Sequence, residues 1–125
     1  MNIPSDLRYT KSHEWVEQLA EGKVRIGLTD HAQHELGDIV FVNLPQEGDA
    51  ATRGESFADV ESVKAVSDVY SPVSGRISAV NEALLDQPAA INEDAYGAWL
   101  VEVESIEGSE ELLTAEQYAA CIEGE

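Results

Sequence analysis

The chain has 125 residues, of which 43% are hydrophobic, so it is long and apolar enough for one domain with a buried core. Its 25 acidic residues outnumber its 7 lysines and arginines and give a net charge of −18. This charge repels phosphate backbones and anionic lipid headgroups, so we expect neither nucleic acid nor a membrane as a partner. The one cysteine, Cys121, argues against an internal disulfide and a thiolate zinc site.

The N-terminal segment Met1–Arg8 has no basic region followed by an apolar run, so we expect no signal peptide. No apolar stretch approaches the length of a membrane span. We therefore expect a cytoplasmic protein of a bacterium or archaeon. The mature form of a mitochondrial protein is the alternative.

The first part of the chain reads as a hairpin, a short helix and a third strand. Glu14–Leu19 and Lys23–Thr29 are β-rich runs separated by a turn signal. Asp30–Leu36 has the spacing of a capping box, with Asp30 in the N-cap position, and Gly37 is placed to end the helix. Asp38–Leu44 returns to the strand pattern.

The second part adds short strands and a C-terminal helix. Strands are predicted at Ser56–Val63, Val66–Ser71, Gly75–Val80 and Trp99–Glu104, with a turn at Pro72–Gly75 and a loop at Gln87–Gly97. A second capping-box spacing at Thr114–Gln117 predicts a helix over residues 114–122. Many short strands with tight turns favour a mainly β sandwich or barrel.

Aromatic and histidine side chains give expectations about burial. The aromatic residues expected in the core are Trp15, Phe41, Tyr70 and Trp99. His31 and His34 lie with Glu35 on one predicted helix, but no further ligand accompanies them. We therefore expect a solvated helix face there and no metal site.

Lys64 lies between two strand-like arms. An exposed lysine is ordinarily a solubilising residue, but Gly54 and Gly75 bound the arms at nearly equal distances on either side. This symmetry suits a rigid hairpin that displays one residue at its tip. A lysine displayed in this way can carry an amide-linked cofactor. Tethering raises the concentration of such a group at partner sites to roughly millimolar for short flexible links.

Several short motifs follow one another along nearly the whole chain: Ser12–Trp15, Gly27–Ala32, Leu36–Val42, Leu44–Pro45, Glu61–Ala65 and Ser71–Gly75. In this order they resemble the H-protein family of the glycine cleavage system. The resemblance implies a mainly β, barrel–sandwich hybrid fold of the biotinyl/lipoyl type. It implies one lipoyl-carrier domain over residues 1–125, with a short helix after the first hairpin and a C-terminal helix.

The resemblance also implies a function. A lipoyl group on Lys64 would carry the aminomethyl group of glycine from the decarboxylase (P protein) to the aminomethyltransferase (T protein), and dihydrolipoyl dehydrogenase (L protein) would reoxidise it. The chain would be a monomeric carrier subunit and not an enzyme. Lipoate would be absent from recombinant protein wherever expression outruns attachment.

Further site residues are expected on the same basis. Ser12, Glu14 and Asp68 are the candidates for shielding the carried group, because a carboxylate and a hydroxyl can hold a cationic amine and exclude water. Ser12 and Glu14 are two residues apart, so on a strand they are expected on the same face. Glu61 and Gly75 resemble positions recognised by lipoate-attaching enzymes. The competing interpretation is that these carboxylates belong to a solvated acidic face and that Gly75 is a turn glycine.

Three alternatives remain open at this point. The chain could be a lipoyl or biotinyl domain of another complex, although biotin sites usually flank the lysine with methionine and the one methionine here is Met1. It could be a relay protein that passes lipoyl groups to other enzymes. It could also be an interaction domain with an unmodified Lys64.

Overall fold

The computed structural model describes residues 2–124, and within that range the chain forms nine strands and four helices. The strands are β1 (Arg8–Tyr9), β2 (Glu14–Ala20), β3 (Lys23–Leu28), β4 (Ile39–Asn43), β5 (Ala50–Ala51), β6 (Ser56–Ser62), β7 (Val66–Tyr70), β8 (Val73–Val80) and β9 (Val101–Ser109). The helices are α1 (Asp30–Leu36), α2 (Ala83–Asp86), α3 (Ala90–Glu93) and α4 (Ala115–Glu123). Each helix in this range is too short or too polar to cross a membrane.

The strands form a mainly β architecture of antiparallel sheets. One sheet has the order β1-β2-β3-β9-β8-β5, and the other has the order β4-β6-β7. Val16, Ile26 and Val103 of the first sheet share one apolar core with Val60 and Val69 of the second. Burial of these side chains stabilises the fold and fixes the β6–β7 hairpin at the face of the larger sheet.

A smaller cluster lies under α4. Tyr118 of this helix is fully buried and stacks on Tyr9, with ring centroids 4.8 Å apart. The predicted capping box is present, because Gln117 N–H donates to Thr114 Oγ1 at 3.2 Å and Thr114 N–H donates to Gln117 Oε1 at 2.9 Å. The C-terminal helix is therefore confirmed, and it is attached to β1 and β2 through aromatic packing.

Helix α1 is confirmed with the predicted bounds, but its cap differs. Thr29, not Asp30, is the N-cap, and its Oγ1 accepts the N–H of Ala32 at 3.1 Å. Gly37 ends the helix at a φ of 81°, a backbone conformation that favours glycine.

Other local predictions are wrong. The turn expected at Pro72–Gly75 is mostly strand, since β8 already begins at Val73. The loop expected at Gln87–Gly97 contains the single-turn helix α3. The two-residue strands β1 and β5 were not expected, because such short runs carry no periodicity.

Two of the four aromatic core predictions are also wrong. Trp15 is buried, but Phe41 is 49% exposed and Tyr70 is 40% exposed. The register of β4 against β6 shifts between Ile39 and Phe41, so Val40 and Phe41 both face solvent and the simple alternation fails. The sequence predicts a solvated face for His31, but its side chain is buried, with Nε2 3.8 Å from Glu35 Oε1.

Candidate functional site

A tight turn between β6 and β7 displays Lys64. Ser62 N–H donates to the carbonyl oxygen of Ala65 at 2.8 Å and closes the turn. Ser62 Oγ accepts the N–H groups of Lys64 at 3.3 Å and Ala65 at 3.1 Å. With its backbone held in this way, Lys64 lies at the tip and its side chain is exposed.

The hairpin tip is tied to the end of α1. Val63 N–H donates to the carbonyl oxygen of Asp38 at 3.0 Å. A Cβ atom at Gly37 would lie 3.5 Å from Lys64 Cε, so the lysine side chain runs over this glycine. Within residues 2–124 no carboxylate is paired with Lys64, whereas Lys23 is paired with Glu102 at 3.5 Å. An exposed amine at a fixed position can be joined to a cofactor by a covalent bond.

Exposed apolar side chains surround the tip on β4 and on the β6–β7 hairpin. We call them the tip patch: Val40 (54% exposed), Phe41 (49%), Val63 (69%) and Val66 (67%). Acidic residues lie beside the patch. Glu61 pairs with Phe41 and Val66 across the sheet, and Asp59 lies directly opposite Asp68. An apolar patch with a polar border is typical of a protein interaction site.

A cleft of about 520 Å³ lies at the end of β7 away from the tip. Its lining includes Thr10, Ser12, Glu14, Tyr70, Glu110 and Glu111. Tyr70 is the last residue of β7, so one short strand connects the lysine hairpin to the cleft.

Glu14 is the buried acid of this cleft. Its Oε1 accepts hydrogen bonds of 2.6 Å from Thr10 Oγ1 and from Ser12 Oγ, and its Oε2 accepts the N–H of Tyr70 at 3.4 Å. Burial raises the pKa of Glu14 above its usual range, and the hydrogen bonds from Ser12, Thr10 and Tyr70 oppose that rise. The cleft therefore holds a carboxyl group that binds a proton more readily than a surface glutamate does.

A hairpin loop, and not a strand, brings Ser12 to Glu14. Strand β2 begins only at Glu14. His13 N–H donates to the carbonyl oxygen of Thr10 at 3.2 Å, and Thr10 N–H donates to the carbonyl oxygen of Glu14 at 3.0 Å. His13 has a φ of 75°, in the left-handed region. The prediction that Ser12 and Glu14 share one strand face is wrong, although the two side chains do meet.

Comparison with known proteins places this geometry in a family. The family model of the glycine cleavage H-protein matches residues 7–125. The chain belongs to the glycine cleavage H-protein family. The resemblance of the motifs is thereby confirmed.

Curated relatives and a solved structure cover nearly the whole chain. The glycine cleavage system H protein of Lachnoclostridium phytofermentans is 54% identical over 125 residues, covering 100% of this chain and 98% of the relative. That of Geobacillus thermodenitrificans is 56% identical over 126 residues, with 98% of each covered. The crystal structure of the H protein from Mycobacterium marinum matches with a TM-score of 0.90 at 46% identity, covering 98% of this chain and 100% of that one. These likenesses confirm the mainly β, barrel–sandwich fold.

In this H-protein fold, Asp68 is separated from the other predicted shielding residues. Ser12 and Glu14 line the cleft, but Asp68 is exposed on β7 and is not part of the lining. Thr10 and Tyr70 contact Glu14 in the cleft instead, through the Thr10 hydroxyl and the Tyr70 backbone N–H. Thr10 reaches Glu14 because of the hairpin loop, and Tyr70 reaches it because β7 ends there. Neither feature produces a motif that can be recognised in the sequence.

The two predicted recognition residues lie in different settings. Glu61 is near the tip on β6. Gly75 is not a turn glycine, because it lies within β8. A Cβ atom there would be 2.5 Å from the carbonyl oxygen of Glu104, so the position has no room for a side chain. Among residues 2–124, no group of three or more histidine, cysteine and acidic side chains is arranged to hold a metal ion.

Proposed function

We propose that this chain is the lipoyl carrier of a glycine cleavage system and that lipoate is joined by an amide to Nζ of Lys64. The observation that carries the proposal is the exposed Lys64 at the fixed tip of the β6–β7 hairpin, in a chain of the H-protein family. When bound, the lipoyl group supplies the sulfur that receives the aminomethyl group of glycine and the disulfide that is re-formed afterwards. The chain supplies presentation, shelter and docking, in the manner of a carrier subunit.

The cleft at Glu14 is proposed to shelter the cationic end of the carried group. The Glu14 carboxyl group is buried, so a protonated amine beside it is held in a site with little competing water. Thr10 and Ser12 donate to one carboxylate oxygen and the Tyr70 N–H donates to the other, which fixes the direction in which the carboxylate faces. Glu110 and Glu111 add negative charge to the same cleft.

The tip patch is proposed as the surface that partner enzymes contact. Our proposed partners are the decarboxylase (P protein), the aminomethyltransferase (T protein), dihydrolipoyl dehydrogenase (L protein) and lipoate-attaching enzymes. Like charges directly opposite each other destabilise a sheet, so the Asp59–Asp68 pair does not stabilise the fold. Its presence favours a role in binding a partner. We propose that partners present an apolar surface bordered by basic residues. Asp68 then belongs to docking and not to the cleft.

Glu61 and Gly75 are proposed to serve lipoate attachment in different ways. Glu61 lies on β6 close to Lys64, where an attaching enzyme would contact it. Gly75 acts through packing, because its missing side chain lets β8 approach β9. We propose that residues 1–125 form one lipoyl-carrier domain that works as a monomer.

Glycine–bicarbonate exchange with the partner decarboxylase tests the proposal. The lipoylated chain should support exchange, and Lys64→Arg should not, because arginine keeps the charge but cannot be lipoylated. Lys23→Arg is the matched control, since it alters a lysine on β3 that does not line the cleft and should retain exchange. Equal exchange by wild type and Lys64→Arg would contradict the proposal. A lipoylated chain that fails in exchange but donates lipoyl groups to other enzymes would support the relay function instead.

A further inference from the structure

His13 occupies a backbone position that usually belongs to another residue type. The loop between β1 and β2 has the hydrogen bonds of a three-residue hairpin connection, and its last residue has a φ of 75°. Glycine is the common residue at this left-handed position, and asparagine is also tolerated, because a Cβ atom crowds the backbone there. A residue that holds this conformation against its preference is held by its surroundings.

Tyr118 of α4 is hydrogen-bonded to His13, and the ring of His31 also packs on His13, with centroids 4.6 Å apart. The Tyr118 hydroxyl is hydrogen-bonded to His13 Nδ1 at 2.8 Å and to Thr29 Oγ1 at 2.8 Å. The backbone of His13 is fixed from the same side, since its carbonyl oxygen accepts the N–H of Thr29 at 3.1 Å. Tyr118 is fully buried and stacked on Tyr9, so its hydroxyl has little freedom to move away.

The neighbours of His13 in sequence are the polar groups of the cleft. Ser12 and Glu14 precede and follow it, and the Ser12 hydroxyl reaches the Glu14 carboxylate at 2.6 Å. Glu14 is paired with Leu28 in the sheet and would stay in place if φ at His13 changed. Ser12 lies on the other side of His13, so such a change would move Ser12 relative to Glu14. The Ser12–Glu14 contact therefore depends on the conformation of the residue between them.

We propose that Tyr118 is a positioning residue for the cleft: its hydroxyl holds His13 in the left-handed conformation that keeps Ser12 against Glu14. The C-terminal helix thereby acts on the sheltering site without touching it. The use of this cleft by a carried group rests on the proposed function, but the coupling itself is a property of the unmodified chain.

The titration of Glu14, followed by carboxyl ¹³C NMR in protein with unmodified Lys64, tests the coupling. In Tyr118→Phe the ring and its stacking remain but the hydroxyl is lost. Glu14 should then stay buried and lose the Ser12 bond, so its titration midpoint should rise by about half a pH unit. Tyr9→Phe is the matched control, because it removes the other hydroxyl of the stacked pair, which donates to the carbonyl oxygen of Pro4. It should leave the midpoint unchanged.

A second variant separates backbone positioning from packing. Glycine adopts a φ of 75° without strain, so His13→Gly combined with Tyr118→Phe should return the Glu14 midpoint to its wild-type value. Lys11, Glu110 and Glu111 line the same cleft and are unchanged in every variant. The proposal is overturned if the Glu14 midpoint is the same in Tyr118→Phe as in Tyr9→Phe. It is also overturned if the midpoint of the double variant stays at the value of Tyr118→Phe. Neither result involves lipoate or a partner enzyme, so failure here is distinguishable from failure of the proposed function.

Discussion

The Ser12 hydroxyl donates a 2.6 Å hydrogen bond to the Glu14 carboxylate across His13, whose backbone is left-handed. The polar centre of the cleft is therefore built on a hairpin loop and not on the face of a strand. Because Glu14 is buried, small changes in its hydrogen bonds should alter its protonation.

Removal of the Ser12 hydroxyl should raise the pKa of Glu14 further. Burial already raises that pKa, and the Ser12 bond opposes the rise by stabilising the charged form. In Ser12→Ala the midpoint of the Glu14 carboxyl resonance should increase. Ser78→Ala is the control, since its hydroxyl donates to the carbonyl oxygen of Glu102 and not to the cleft. An unchanged midpoint in Ser12→Ala would show that the bond does not stabilise the carboxylate.

Glu14→Gln should change how the stability of the protein depends on pH. The pKa of Glu14 in the folded protein lies above its ordinary value of 4.5, so between these two values the folded state binds more protons than the unfolded state. Wild type should therefore lose stability as the pH rises through that window, and Glu14→Gln should lose less. Urea unfolding measured at successive pH values gives the difference between the two proteins.

Other carboxyl groups do not explain such a difference. Asp30 and Glu102 have lowered pKa values, so they contribute stability that is lost as the pH falls, and both remain in the variant. A stability difference between wild type and Glu14→Gln that stays constant with pH would contradict the raised pKa.

Local signals account for what the sequence predicted well. Helix α1 begins at the polar residue Asp30 and ends at Gly37. Helix α4 follows from the Thr114–Gln117 capping box. The Lys64 hairpin follows from the two β-rich arms on either side of the lysine, although Gly75, which was expected to bound the second arm, lies within β8. In each case the residues that decide the structure lie within a few positions of one another, so the pattern is visible without the fold.

The cleft could not be predicted in the same way. The sequence predicts Tyr70 in the core, but Tyr70 is exposed and donates its backbone N–H to Glu14, which lies 56 residues earlier in the chain. The exposure of Phe41 depends on a register shift against β6. The left-handed backbone of His13 depends on contacts with α4 and α1. These features arise from contacts distant in sequence, which periodicity does not encode.

Polar substitution in the tip patch should weaken partner interactions without unfolding the protein. Phe41 and Val66 are about half or more exposed, so Phe41→Ser and Val66→Ser remove few core contacts. Each should raise the KM of the decarboxylase for the lipoylated chain several-fold. Leu85→Ser is the matched control, because Leu85 is 55% exposed on α2, outside the patch. Equal KM values for Phe41→Ser and Leu85→Ser would argue against docking at the patch.

Gly75→Ala should destabilise the fold by roughly 1–3 kcal/mol, because overpacking forces the strands apart. The new Cβ atom would lie 2.5 Å from the carbonyl oxygen of Glu104 and 2.8 Å from Val103 Cγ1. Gly108→Ala is the control, since a Cβ atom there meets nothing within 4 Å. Chemical denaturation of both variants measures the effect. If the two have the same stability, the packing role of Gly75 is wrong.

The intact mass of the protein from a host that attaches lipoate, followed by peptide mapping, tests the central claim most directly. We expect a gain of one lipoyl group, located on Lys64. Lys64→Arg should keep the mass of the bare polypeptide, and Lys11→Arg should be modified like wild type. A bare Lys64 in that host, or a lipoyl group on Lys11 or Lys23, would contradict the account.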